Sequence, residues 1–450
     1  MGRTARLFTA FLFLLTLNAA AQEGMPPAPD AEAIVENISE ALNEVYVFPE
    51  VAEAMHALMQ QRLAEGAYQG LDLPTLTRQL TDDLQSVSQD RHLHVDPIAR
   101  EDMGPGEVID RAAREARFLD NARRTNYGFR QLEILQGNVG YLDLRSFYDA
   151  GIGGATAVAA MNFLASADAI IIDLRQNGGG SPSMIQLISS YFFEQRQHLN
   201  SFYVRRTDST RQFYTQEHVQ GPKMTDTPIW ILTSGRTFSA AEEFTYNLKN
   251  MERARVVGET TGGGAHPVDN VDFPEHGVRM SLPFGRAINP ITGTNWEGTG
   301  VEPHTSVPAQ DALEVAHREA LEQLAETADS PERKFRLQWA VDGLAAAGNP
   351  PALSPVQMGD YAGTYGPRRV WTEQGQLRYR RGEGREIRLI AMGEDLFRLE
   401  GLDNFRIRFE RDEAGRVVTL VGLYIDGRQE PSQRTDGQAV TGSGEPGHQR

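Results

Sequence analysis

The sequence predicts an α/β protein: a core of alternating strands and helices, a helical subdomain before it and a small all-β domain after it. Three observations predict this. Residues 31–87 repeat apolar positions at helical spacing. From Asn138 onward, apolar strand-like runs alternate with helix-like ones, the mark of β-α-β units and a covered parallel sheet. Beyond Pro355 the pattern changes to short alternating runs separated by turn residues. At 450 residues the chain is also too long for one core.

In chain order, Arg3 and Arg6 precede the apolar run LFTAFLFLLTL and then Ala19-Ala20-Ala21. A basic start, a short apolar run and small residues read as a secretory signal peptide over residues 1–21; an uncleaved membrane anchor is the alternative. No later apolar run is long enough for a membrane span. GMPPAPD lies in a linker, residues 22–30. In AEAIVENISEALNEVY, Ile34, Ile38 and Leu42 recur four apart, and AEAMHALMQQRL and LPTLTRQLTDDLQSV keep that period. YVFPE separates the first two helices, because proline biases the residue before it away from helix. These three helices make a subdomain over residues 31–96.

The core is expected over residues 97–346. NVGYLDLRSF is a strand, ATAVAAMNFLASA a helix and AIIIDLR a buried strand. A glycine-rich turn, the helix MIQLISSYFF, the strand PIWIL and the SAAEEF helix follow, and then the strand RARVVGE. VRMSLPFGRAI and GVEPHTSV add strand segments, and helical sequence from Ala312 to Ala347 closes the region. AGNPPALSP provides the linker at 347–355. About seven short strands over 356–432, among them FRIRFER with Phe405, Ile407 and Phe409 alternating with arginines, suggest a small barrel or sandwich. Residues 433–450 read as a polar, disordered tail.

Composition excludes several functions. Loss of the leader would take the basic residues from 44 to 42 against 61 acidic ones, a net charge of −19. Such a chain is not built for nucleic acid or anionic membranes. With no cysteine, neither disulfides, nor a thiol nucleophile, nor thiolate metal sites are available.

Chemistry concentrates where strands give way to glycines or to a helix start. In TSGRTFSAAEEF, Ser239 stands where the strand PIWIL turns into a helix. Such a turn puts a side chain at the carboxyl edge of a parallel sheet and aims helix N-terminal N–H groups outward. Ser239 to Glu242 also fits a capping box, and local pattern alone favours the cap. DLRQNGGG (Asp173 to Gly180), VVGETTGGGAHP (Val256 to Pro267) and NWEGTGVEP (Asn295 to Pro303) are glycine-rich loops near apolar strands. No GxGxxG or Walker lysine accompanies them, so nucleotide binding is unsupported.

Taken together, DLRQNGGG, TSGRTFSAAEE, GETTGGG and NWEGTGVEP resemble the tail-specific (C-terminal-processing) serine peptidase family. The nearer branch contains the tricorn core protease and the modules of interphotoreceptor retinoid-binding protein. The resemblance runs from about Ala31 to Pro308. It implies a ClpP/crotonase-like core, Ser239 as nucleophile, and oxyanion donors from Gly178, Gly179 and Ala240. The family's C-terminal-processing enzymes carry a lysine base in a G-x-x-T-x-G-K-G loop; here that position is Gly264. Lys249 lies ten residues along the predicted helix, roughly 15 Å from Ser239, and does not replace it. The tricorn branch uses histidine, which falls on His92 in QDRHLHV, and a glutamate, which falls on Glu297. Tricorn's serine before that histidine is here Arg91. A polar contact between subdomains is the alternative for His92, and His94 and His266 are the other candidate bases. The HLH spacing suggests zinc, but no third ligand follows at useful spacing; no metal or cofactor is implied. Between Pro97 and Gln136 there is no room for a PDZ domain. The C-terminal β-domain resembles the lipocalin-like domains appended to some bacterial serine hydrolases, and gating, oligomerisation or an apolar ligand are its candidate roles.

The expectation is an exported bacterial serine peptidase, periplasmic or extracellular, acting on peptide or protein substrates. The alternatives are a non-catalytic retinoid- or lipid-binding protein on the same fold, or an esterase or amidase.

Overall fold

The computed structural model describes residues 29–103, 109–348 and 350–436. The predicted leader, most of the linker after it and the tail beyond residue 436 lie outside the described residues. Helices α1 (Ala31–Val45), α2 (Pro49–Ala64) and α3 (Leu73–Ser88) form where the apolar period predicts them. Asp30 accepts from Ala33 N–H to cap α1, and Asp72 caps α3 through Thr75 N–H. Gln89, with φ 55°, ends α3 in the left-handed conformation and turns the chain toward His92. Ile38, Leu42, Met55, Met59, Leu80 and Leu84 pack together in this cluster.

The sequence places the next elements in one linear core, but the structure stitches them across the chain. Strand β1 (His94–Pro97) is followed by α4 (Arg111–Arg124), β2 (Phe129–Leu135), β3 (Val139–Leu144), α5 (Ala150–Leu164), β4 (Ala169–Asp173) and α6 (Pro182–Ser189). A hairpin that the sequence pattern does not signal, β5 (His198–Val204) and β6 (Ser209–Tyr214), precedes β7 (Ile229–Thr233), α7 (Ala240–Asn250) and β8 (Arg255–Gly258). Then come β9 (Val268–Phe273), β10 (Val278–Pro283), β11 (Gly285–Ile288), β12 (Thr305–Ser306), α8 (Ala312–Glu326) and α9 (Pro331–Gly348). β1 pairs with β10, and Val278, Met280 and Leu282 of β10 join the core of the three helices. The helical unit is therefore closed by a strand from late in the chain.

The central sheet has the order β12-β8-β7-β4-β3-β2. Pairings from β3 through β12 are parallel, and β2 is an antiparallel edge. Its apolar faces are both covered: α5, α6 and α7 pack on one and α8 and α9 on the other. Because β4, β7 and β8 are parallel, the loops that leave them emerge on one edge. Two small antiparallel sheets, β1-β10-β9 and β11-β5-β6, complete this part of the molecule.

The C-terminal unit is a nearly closed antiparallel barrel of eight strands paired in chain order, from Gly363–Tyr365 to Gln429–Gln433. A bridge from Tyr365 to Arg434 brings first and last strands together, and Thr435 N–H donates to Thr364 O. Ordered pairing thus continues past the point where the tail is expected to begin. Tyr361, Tyr365, Phe397 and Phe409 stack in the interior, which side chains fill as in other eight-stranded barrels. Trp339 of α9 anchors the barrel by donating from Nε1 to Asp403 O at 2.6 Å, while the Arg406 guanidinium lies 3.9 Å over its ring. Among the described residues no helix is long and apolar enough to cross a membrane.

Candidate active site

Ser239 sits between β7 and α7 with φ 55° and ψ −122°. A residue with a Cβ is strained there, by about 1–3 kcal/mol, and such strain collects at functional sites. The cause is local. Thr237 N–H bonds Ser234 O and Phe238 N–H bonds Asn177 O, so the strand must turn sharply into the helix. Ser239 and Glu242 have the form of a capping box. Its well-formed half is Glu242 Oε2 accepting from Ser239 N–H at 2.9 Å, while the hydroxyl makes no capping hydrogen bond. Glu242 also accepts from Thr261 Oγ1 (2.5 Å), Gly263 N–H (2.6 Å) and Gly264 N–H (2.8 Å). One buried carboxylate therefore ties the GETTGGG loop to the serine turn.

The glycines of DLRQNGGG close in from β4. A Cβ on Gly179 would come within 2.8 Å of Ser239 Cβ and 3.0 Å of Ala240 N, and φ is +110°. Glycine is needed here on both counts. Gly179 N–H already donates to Asn177 Oδ1 at 2.8 Å, so this residue provides close approach rather than a spare donor. Among the described residues, Ala240 N–H and Gly178 N–H have no backbone acceptor, and Gly178 is exposed. Gly180, which the sequence does not single out, lines the cleft beside Ser239.

That cleft has a volume of about 500 Å³ and takes Ser239, Ala240, Gly264 and His266 into its wall. His92 lies behind it. The His92 ring packs on Phe238 with centroids 4.5 Å apart, and its Cε1 stands 2.7 Å from where a Cβ on Gly264 would be. His92 is 7 % exposed and its Nδ1 has no partner. Burial, working against the raising effect of the Asp90 charge, brings its pKa down to about 4. Glu297 Oε2 accepts from Ala265 N–H (2.5 Å) and His266 N–H (3.2 Å), leaving Oε1 buried and unpartnered. A ring nitrogen of His92, a Glu297 oxygen and an Asp90 oxygen lie within 4.8 Å of one another. Burial and then the Asp90 charge hold the Glu297 carboxyl well above its ordinary range, opposed by His266.

Asp90 is a site residue that the sequence reading passes over. It accepts from His92 N–H at 3.0 Å and from His266 Nδ1 at 2.6 Å. The signal was a carboxylate two residues before the histidine, but its partner, 176 residues away, could not be read from spacing. Burial disfavours the His266 cation, yet the hydrogen bond and charge of Asp90 and the charge of Glu297 prevail and raise its pKa. Asp90, His92 and Glu297 also offer donor atoms close enough to hold a metal ion, and His94, the second histidine of the HLH spacing, is not among them.

The other candidates sit elsewhere. His94 Nδ1 bonds His92 O, and its Nε2 is 3.3 Å from Asp96, outside the cleft wall. Lys249 donates to Glu302 O at 2.6 Å. Arg91 donates to Gly262 O at 2.7 Å and so braces the glycine loop. No hydrogen bond joins the Ser239 hydroxyl to His92 or His266 among the described residues; such contacts are often loose without substrate.

Comparison with known proteins accords with this layout. The model of peptidase family S41 matches residues 138–307, and that of the N-terminal domain of peptidase S41 in eukaryotic IRBP matches residues 28–120. An uncharacterized protein of Chlamydia muridarum is 38 % identical over 82 residues, 18 % of this chain and 14 % of that protein. The chain thus spans about a seventh of the length of the curated relatives it matches. The photosystem II D1 C-terminal processing protease is similar at 19 % identity over 49 % of each chain, with a TM-score of 0.33. The tricorn protease is similar at 13 % identity over 69 % of this chain and 36 % of its own, with a TM-score of 0.39. The chain belongs to peptidase family S41, a family of serine-type peptidases.

Proposed function

We propose that the chain is an exported serine peptidase in which Ser239 attacks a peptide carbonyl, His92 takes the serine proton and Glu297 orients His92. The α/β unit of residues 97–346 is read as a ClpP/crotonase-like core between the helical subdomain and the barrel. The observation that carries the proposal is the room at Gly264. The family's lysine base would project from that position, and here a Cβ would lie 2.3 Å from Phe238 Cζ and 2.7 Å from His92 Cε1. The Phe238 ring, and next to it the imidazole, fill the space that a lysine there would need, which supports reading His92 as the base in place of the lysine.

The chemistry then follows from the neighbours. His92 is neutral at pH 7, as a base must be. Once it takes the proton, its unpartnered Nδ1–H and the unpartnered Glu297 Oε1 can pair, and the carboxylate stabilises the imidazolium. Ala240 N–H at the helix start and Gly178 N–H opposite are the oxyanion donors, with Gly179 making room for the approach. The tetrahedral intermediate then collapses: the C–N bond breaks as His92 gives that proton to the leaving amine, leaving the acyl group on Ser239. In the second half-reaction His92 takes a proton from water as the water attacks the acyl carbonyl, and returns it to Ser239 Oγ as the acid product departs.

The test is labelling with a fluorophosphonate together with hydrolysis of a peptide library. Wild type should be labelled and should cleave. Ser239→Ala should lose both, and His92→Ala should label far more slowly. The serine mechanism keeps its rate in EDTA, so loss on chelation would favour a metal held by Asp90, His92 and Glu297. Equal labelling of the three proteins would point instead to a lipid-binding module on the same fold; labelling with turnover of esters alone would make the enzyme an esterase.

A further inference from the structure

Glu243 follows Glu242 on α7 but shares none of its partners. It is 3 % exposed, one helical turn beyond Ser239, and it lines the cleft that the serine faces. Asn200 of β5 and Asn247 of α7 bring their amides near enough to favour its charged form. Neither amide nitrogen completes a hydrogen bond: Asn200 Nδ2 and Asn247 Nδ2 are both buried and unpartnered. Asn200 Oδ1 is held by Ser201 N–H, and Asn247 Oδ1 by Asn289 Nδ2, so both side chains are fixed in place. The Glu243 carboxyl is thus the polar floor of a pocket in the cleft, with the two amides fully buried beside it and outside the cleft wall. Its walls include Phe202, Phe213 and Trp296.

We propose that this floor receives the side chain next to the scissile bond and selects lysine or arginine there. The inference rests on the peptidase reading and adds its specificity. Aromatic walls suit the aliphatic stem of a basic side chain and attract its cation, and a carboxylate at the bottom fixes the charged head. Burial, opposed by Asn200 and Asn247, pushes Glu243 up to about 7, so an entering cation restores the charge that the empty pocket suppresses. Arg211, also in the cleft wall, is exposed and holds its guanidinium 5.8 Å over Phe213, so Phe202 and Trp296 are the aromatic walls left to an entering cation; Asp269 is exposed; and His266 is paired with Asp90 through Nδ1. An apolar side chain would leave the Glu243 carboxyl desolvated and unpaired, which is the source of discrimination.

Fluorogenic peptides that differ only in the residue before the cut test this. Arginine and lysine should exceed leucine and alanine in kcat/KM by roughly 10- to 100-fold. Glu243→Gln should bring that ratio close to one while Ser239 stays reactive to fluorophosphonate. Benzamidine, a small aryl cation, should bind Ser239→Ala and fail to bind the Ser239→Ala/Glu243→Gln double variant. Benzamidine binding is read without catalysis, so it decides the inference even if Ser239 proves unreactive and the peptidase reading falls. A flat or apolar preference in labelled wild type, or benzamidine binding indifferent to Glu243, overturns it. Where Glu243→Gln fails to fold, the wild-type preference and benzamidine competition with substrate decide between the same two outcomes.

Discussion

The two histidines beside Asp90 and Glu297 share carboxylate neighbours and stand in opposite chemical situations. His266, on the glycine-loop side, has Asp90 on its Nδ1 and Glu297 within 3.6 Å, and its cation is favoured. His92, on the helical side, has its ring against Phe238, its Nδ1 empty and its cation disfavoured. One has its cation favoured by carboxylates already in contact with it; the other is a buried imidazole whose cation is disfavoured, with a carboxylate oxygen nearby. A proton on His266 brings no new partner, whereas a proton on His92 gives its empty nitrogen a partner in Glu297. The difference supports the proposal that His92 is the base and His266 the group that positions the carboxylates around it.

The most direct way to break that division is to remove each ring in turn. His92→Ala should lower kcat/KM by roughly 10²- to 10⁴-fold, the range for loss of a general base. His266→Ala should cost about tenfold or less, with the change mainly in the pH profile. The reverse ranking would move the base to the glycine-loop side. Gly264→Ala probes the same division without touching a titratable group. A methyl there meets Phe238 and the His92 ring at contact-forbidding distances and must push one of them aside. Activity should fall by about 10²-fold, as for a catalytic group displaced by around an ångström, while a melting curve shows the fold retained. Undiminished turnover would mean that His92 has no catalytic position to lose.

The sequence made one side of this comparison legible and left the other dark, for physical reasons. Helix periodicity, buried strands and glycine loops are local signals, so α1 to α3, β3, β4, β7 and β8 stand where the pattern put them. Ser239, His92 and Glu297 could be picked out because each lies in a motif that the resemblance covers. The pairing of β1 with β10, the β5–β6 hairpin and the Asp90–His266 bond depend on contacts between distant segments, which periodicity does not encode. Glu242 and Glu243 show the limit sharply. They are adjacent in sequence, and only three-dimensional surroundings separate a loop-binding carboxylate with four donors from one with none well formed.

The finest test lies in the acid limb of kcat/KM, which reports the base in the free enzyme. If His92 is that base, its own protonation limits activity only as pH approaches about 4, and any loss at higher pH that comes from protonation of Glu297, whose carboxyl is held well above its ordinary range, should be absent from the residual activity of Glu297→Gln. If His266 is the base, the limb should lie above pH 6.5, because its carboxylate neighbours raise it. His266→Gln refines this further. The His266 cation is one of the charges that lowers His92, and removing it leaves Asp90, which raises His92, in place. The sign is therefore upward: the acid limb should move toward neutral pH by a fraction of a unit, with circular dichroism tracking folding across the range. A limb that disappears in His266→Gln would reassign the proton transfer, whereas a small upward shift would leave His266 as the group that sets how readily His92 accepts its proton.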